Sequence, residues 1–190
     1  MKNYEWCAYT YRHRKAFLYV IEKLIHEETL KKEMKKRAKV HDMDKMLLYL
    51  FFGQREVQEW HVKNQPHHLE SGLGNTYFDL VETVIDYECA PYTKPDKPLN
   101  AYDFVCKLVT MGYLKQGKAD ELIRIMHDFG IDHSSEVAGD EEGFAYLKQF
   151  EEISEEMILY EVICYVRENP ESAAMDYLKG HYPEGGEAVC

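Results

Sequence analysis

An all-α, single-domain helical bundle is the fold the sequence predicts, on three observations. Apolar residues recur at intervals of three and four in one segment after another. No segment alternates with the period of two that a half-buried strand needs. At 190 residues the chain suits one domain with a substantial core. Residues 1–180 are read as that domain, with its chemistry-bearing half at about 10–90, further helices at about 99–168, and a frayed tail over 181–190.

The first element is expected as one long helix over residues 6–36, with Phe17, Val20, Ile21, Leu24 and Ile25 as its buried stripe. His13 lies four residues before Phe17 and faces the same interior, where a histidine satisfied by hydrogen bonds is the ordinary occupant. His26, beside Ile25, is its rival as a ligand. A second helix over 43–52 turns Leu47, Leu48, Leu50 and Phe51 inward, and Gly53 ends it. A third over 55–63 carries Trp60 and His61. Asn64-Gln65-Pro66 reads as a turn that presets the backbone before His67 and His68. The stretch 71–75 reads as a flexible Gly-rich rim and not a P-loop, since no Gly-Lys-Ser/Thr follows.

A fourth helix over 76–89 sets Phe78, Val81, Ile85 and Cys89 at core spacing. Glu82 and Asp86, four apart, share one face. A carboxylate in this apolar run is costly to bury unless it is paired or bound to a metal. The proline-rich segment 91–98 reads as an extended connector without a helix of its own. Helices follow at about 100–112, 117–129, 141–151 and 153–168, the last with Met157, Ile158, Val162, Ile163 and Val166 inward. The aromatic-rich C-terminal helices could serve a homodimer contact.

Composition narrows the function classes. A formal charge of −11 argues against duplex nucleic acid as a partner, which needs a basic footprint. No apolar run approaches a membrane span, and the N-terminus carries no signal-peptide pattern. The five cysteines are scattered and lack a C-x-x-C pair, so reduced thiols in a cytoplasm are expected. Lysines and Arg37 crowd residues 31–39. This run reads either as a solvated helix end or as a positive rim that draws anionic substrates toward the site.

Residues of metal and acid–base chemistry concentrate in two places. His41-Asp42-Met43-Asp44-Lys45 sets an imidazole, two carboxylates and an ammonium within five residues. Neighbouring side chains on a helix diverge by about 100°, so His41 and Asp42 converge only on something seated over the groove between them. An exposed helix start capped by Asp42 or Asp44 is the plainer reading. His61, His67 and His68 then put three of the nine histidines within eight positions, and imidazole is the commonest metal ligand near neutral pH. His127 and His133 lie apart, near acids, and read as surface or structural residues.

The order His13, His41-Asp42-x-x-Lys45, His61, His67-His68, Asp86 resembles the HD-domain phosphohydrolase superfamily over about residues 10–90. The strings His-Asp-x-x-Lys-Met and Trp-His-x-x-Asn-x-x-His-His are similar to those of a small HD-like family of bacteria and phages. No Gly-Tyr-Pro follows His67-His68, so the cyclic-dinucleotide hydrolysis of the HD-GYP branch is not carried over. The resemblance favours His13 over His26. It implies that His13, His41, Asp42 and Asp86 hold one ion, with Asp42 bridging to a second held by His61, His67 and His68. Mixed imidazole and carboxylate donors suit one or two divalent transition-metal ions, Mn, Fe, Co, Ni or Zn. Ions about 3.5–4 Å apart can activate water and stabilise both attacking and leaving oxygens.

On this reading Asp42 and Lys45 are the catalytic residues, Lys45 neutralising phosphoryl charge. Asp44 serves as a helix-start acid or a base at one remove, and Glu82 orients a histidine. The implied substrate is a nucleotide or other small phosphate ester. Two further readings are a di-iron oxidase or sensing module on the same fold, and a helical interaction protein whose histidines are incidental.

Overall fold

Helical spacing of apolar residues becomes, in the computed structural model, ten α-helices and two short 3-10 turns, with no strand among the described residues. The structure describes residues 3–74, 76–94, 99–135 and 138–182. The helices are α1 (Tyr4–Leu24), α2 (Glu28–Ala38), α3 (Met43–Leu48), α4 (Gln54–Asn64), α5 (Tyr77–Cys89), α6 (Ala101–Thr110), α7 (Gln116–Asp128), α8 (Glu141–Lys148), α9 (Glu155–Glu168) and α10 (Ala173–His181). The 3-10 turns are Leu69–Ser71 and Ala90–Tyr92. No helix is long and apolar enough to cross a membrane.

Several elements differ from their sequence expectation, each for a local reason. The expected helix over 6–36 is two helices. Ile25 is extended (φ −95°, ψ 112°), and the Glu27 carboxylate accepts from the Thr29 and Leu30 amides to start α2. The break folds α2 back against α1. The expected helix over 43–52 stops at Leu48. Asn3 Nδ2 donates to the carbonyls of Tyr49 and Phe52, each at 2.8 Å, and Phe51 is turned out and exposed. Phe78, Met157 and Ile163 are likewise exposed, because the inward faces of α5 and α9 are taken by Val81, Val84 and Ile85 and by Ile158 and Val162. A Ser172-capped α10 follows α9, and its Leu178 is buried. Part of the expected connector is the Ala90–Tyr92 turn, with Pro91 and Tyr92 buried. Residues 95–98 and the tail from 183 lie outside the described residues.

Helix α1 is the spine, packing against α2, α3, α5, α8 and α9. It feeds two separate apolar clusters. Phe17, Val20, Ile21 and Ile25 join Met34, Val81, Val84, Ile85, Leu122 and Met126 in one. Cys7 and Tyr11 join Met43, Met46, Leu48, Tyr49, Val57, Ile158 and Val162 in the other. His13 and Arg14 fall between the two on α1. His41 and Asp42 fall between Ala38 of the first cluster and Met43 of the second. The polar residues therefore occupy a seam between two dry cores.

Away from the seam, Asp140 ties three elements together. It caps α8 through Gly143 N (2.7 Å) and accepts from Tyr19 of α1 (2.8 Å), Lys23 of α1 (2.6 Å) and Tyr92 (2.5 Å). Burial resists its ionisation, but Lys23, Tyr92, Gly143 N and Tyr19 hold the carboxyl well below the usual range. A depressed folded pKa contributes stability that is complete above the unfolded value, about 3.9, and is lost as pH falls toward the folded one. The stability gap between wild type and Asp140→Asn, read from urea unfolding, is expected to be constant above about pH 5 and to shrink below about pH 4.

Candidate metal centre

The seam is positioned by Arg14, a buried residue next to His13. Its Nε donates to the His41 carbonyl (2.9 Å) and its Nη2 to the Lys39 carbonyl (3.0 Å), while Nη1 pairs with Glu161 of α9. These bonds take up carbonyls left without partners at the end of α2. They also bring His41 beside His13, with ring centroids 5.9 Å apart. Phe17 stacks on His41, ring centroids 3.9 Å apart. Asp42 then adopts φ 58°, ψ 8°, the one positive φ at a non-glycine among the described residues. Left-handed backbone is tolerated best by Gly, Asn and Asp and is otherwise costly. Here it lets consecutive residues aim their side chains into one space, which a regular helix forbids.

Asp42 Oδ2 accepts from Lys45 Nζ at 2.9 Å. Its Oδ1 faces imidazoles, with His61 Nε2 at 3.1 Å, His67 Nε2 at 3.7 Å and His41 Nε2 at 3.9 Å. Asp86 Oδ1 lies 3.6 Å from His41 Nε2 and 2.7 Å from His13 Nε2, and His13 Nε2 is 3.9 Å from Asp42 Oδ2. His68 closes the other side, its ring 4.7 Å from His61 and 4.5 Å from His67. Two sets of donors result: His13, His41 and Asp42, and His61, His67 and His68. Either could hold a metal ion. Asp42 stands between them.

The outward nitrogens are held by two buried carboxylates. His61 Nδ1 donates to Asp44 Oδ2 at 2.6 Å, and His41 Nδ1 to Glu82 Oε1 at 3.0 Å. The same Glu82 oxygen lies 3.4 Å from His67 Nδ1. Glu82 Oε2 in turn accepts from Arg37 (2.9 Å), which also binds Asp79 (2.8 Å) of the Thr76–Asp79 capping box. With Nδ1 as donor, the neutral ring keeps its Nε2 lone pair directed inward. His41 Nε2, Asp42 Oδ1, His61 Nε2, His67 Nε2 and His68 Nε2 are all buried without a hydrogen-bond partner among the described residues. Each such atom costs about 1–3 kcal/mol when left unpaired. Five metal-ligating atoms turned toward one another are an arrangement that a cation resolves.

Charges follow the same logic. Burial opposes ionisation of Asp42, but Lys45, His41 and His61 hold it well below the carboxylate range. Burial also opposes charge on His41, yet Asp42, Asp86 and Glu82 push it up to about 10, so at pH 7 its ring carries a second proton, on Nε2, that an ion bound there would displace. The field that raises His41 favours a divalent cation as well. Burial, then the neighbouring imidazoles, push His67 down to about 4 and His68 to about 3, so both rings are neutral at pH 7. Ligand atoms about 2.1 Å from an ion lie about 3.0–3.5 Å apart at octahedral or tetrahedral angles. The separations of 3.1–3.9 Å need only small closure, so the donor set fits an ion.

The seven residues singled out as ligands in the sequence, His13, His41, Asp42, His61, His67, His68 and Asp86, meet in this seam, whereas His26 is exposed and remote from it. Lys45 reaches it too, with its ammonium taken by Asp42. His127 pairs with Asp132 on the surface. The rim expected at 71–75 is anchored at Gly74, where a Cβ would meet the Pro66 carbonyl at 1.8 Å, so only glycine lets this stretch lie against the His67-His68 turn. The lysines of 31–39 line a groove with Phe78 that includes none of the imidazoles. Sequence reading missed Arg14 and the inward role of Arg37. The spacing of Arg37, four residues before His41, was the one available signal.

Beside the imidazoles opens a cleft of about 490 Å³ lined by His68, Asp86, Tyr87, Lys94, Phe104 and Lys107 among others. Substituting Glu82→Gln or Asp44→Asn frees one or two imidazoles from their orienting carboxylate. Each variant is expected to lose about 10–100-fold in affinity for added Zn or Mn, measured by competition with a chromophoric chelator. Unchanged affinity in both would contradict the orienting role. Comparisons with protein-family models, with curated proteins and with solved structures returned no match for this chain.

Proposed function

We propose that the chain is a metal-dependent phosphohydrolase of the HD-domain type, cleaving a mono- or diester of a small, nucleotide-like phosphate. In this reading His13, His41, Asp42 and Asp86 would hold one divalent transition-metal ion. His61, His67 and His68, with Asp42 shared between the sets, would hold a second. The single observation that carries the proposal is the convergence of five buried, unpaired donor atoms on one space beside an open cleft. The order and spacing of the same residues supply the reaction class. A cytoplasmic setting, in which Cys7, Cys89, Cys106 and Cys164 stay as thiols, belongs to the same reading.

A bound divalent ion supplies positive charge that lowers the pKa of a coordinated water and offsets charge developing on phosphoryl oxygens. The chain's own residues arrange the rest. Asp44 and Glu82 fix the rings of His61 and His41 so that Nε2, and not Nδ1, faces the reacting centre. Lys45 keeps Asp42 ionised and holds one of its oxygens, leaving the other for the imidazole side. The dry walls on either side, Phe17 and Met43 among them, keep the local dielectric low and strengthen each of these interactions. In the overall reaction a water oxygen joins phosphorus, the ester P–O bond breaks, and a water proton ends on the leaving oxygen.

The test is turnover of p-nitrophenyl phosphate, bis(p-nitrophenyl) phosphate and a panel of nucleotides by protein loaded with Mn, Fe, Co, Ni or Zn. Ester hydrolysis that disappears on chelation and returns with metal is expected. Oxygen consumption without ester hydrolysis, in protein shown to carry metal, would replace this reading with redox chemistry.

A further inference from the structure

The Ala90–Tyr92 turn carries the chain back over α1 and places Thr93 and Lys94 beside the first set of donors. Thr93 Oγ1 lies 3.4 Å from His13 Nδ1. Lys94 lines the cleft together with His68 and Asp86, and its ammonium sits 6.0 Å from the centre of the Tyr9 ring. Tyr9 in turn stacks on His13, ring centroids 6.1 Å apart. Its hydroxyl is buried against the Lys94 and Thr93 side chains, behind the cleft wall that Lys94 forms.

The two lysines near the cluster differ in what neutralises them. Lys45 is bound to Asp42 at 2.9 Å. Lys94 feels the charge of Asp86 and the repulsion of Lys45, yet no carboxylate lies within ion-pair distance of it among the described residues. Commitment of Asp86 to an ion would remove the carboxylate charge that acts most on Lys94 among the described residues. A half-buried ammonium on the wall of a low-dielectric cleft concentrates anions there. The neutral phenol behind it, its ionisation opposed first by burial, turns toward the ammonium an oxygen that can accept from it.

We propose that Lys94 is the anion-binding group of the cleft, its ammonium receiving a non-bridging phosphoryl oxygen of the substrate while the Tyr9 hydroxyl behind it holds that ammonium in place. This rests on the phosphohydrolase reading and adds to it two residues outside the ligand order. Lys45, engaged by Asp42, then serves the carboxylate, and Lys94 serves the substrate.

The test uses metal-loaded protein with inorganic phosphate as the probe, titrated by calorimetry, with metal content measured on the same samples. Lys94→Met is expected to weaken phosphate binding about tenfold or more at unchanged metal content, the size of one lost charge-assisted contact. Tyr9→Phe is expected to weaken it by a smaller factor, and Lys94→Arg to restore it to within a few-fold of wild type. Phosphate binding by Lys94→Met equal to wild type would overturn the anion-binding role and leave the phosphohydrolase reading standing. Failure of metal-loaded wild type to bind phosphate at all would overturn that reading and the role with it.

Discussion

Asp42 divides its carboxylate between a Lys45 ammonium 2.9 Å from Oδ2 and a ring of imidazole nitrogens around Oδ1, and the seam is built around that division. A left-handed backbone at one residue makes it possible. Without that turn His41 and Asp42 would diverge as neighbours on a helix do. Arg14 fixes the carbonyls just before the turn, and the ion pair with Lys45 offsets the burial of the carboxylate. The strain is local and is held by contacts from α1, α2, α3 and α9.

Coupling between the two sets of donors runs through Glu82. One of its oxygens faces both His41 and His67, so a single carboxylate orients a ring from each set. Arg37 anchors its other oxygen, and with Asp79 it ties the start of α5 to the end of α2. The basic run on α2 thus has one member turned inward, while its lysines line an outer groove. Two apolar clusters enclose the whole arrangement, which makes each hydrogen bond in it stronger and each unpaired lone pair more costly.

Much of the architecture was legible in the sequence because burial follows helical periodicity. The spans of α4, α5, α6, α7 and the body of α9 lie within a few residues of their expected positions. The break at Ile25–Glu27 was not legible, since it turns on a Glu side chain capping the helix that follows, a signal weaker than Ser, Thr, Asp or Asn at that position. Phe51 and Phe78 were misplaced because an apolar residue at core spacing still faces outward when the helix ends early or its neighbours fill the face. Among polar groups, residues that recur at tight spacing (His41-Asp42, His67-His68) stood out. Arg14 acts through contacts between distant segments, and its spacing in the chain carries no trace of them; Asp44 stood out beside Asp42, but its bond to His61 did not.

The central claim is that converging lone pairs in the seam exist to hold a cation, and metal content tests it most directly. Untagged protein purified without chelators is to be analysed by elemental analysis alongside Asp42→Asn, a substitution that left-handed backbone tolerates. The account predicts about one or two equivalents of Mn, Fe, Co, Ni or Zn in wild type. It predicts loss of that metal in Asp42→Asn with helicity by circular dichroism unchanged. A folded wild-type protein that carries no metal and takes up none when it is added would contradict it, as would full occupancy in the variant.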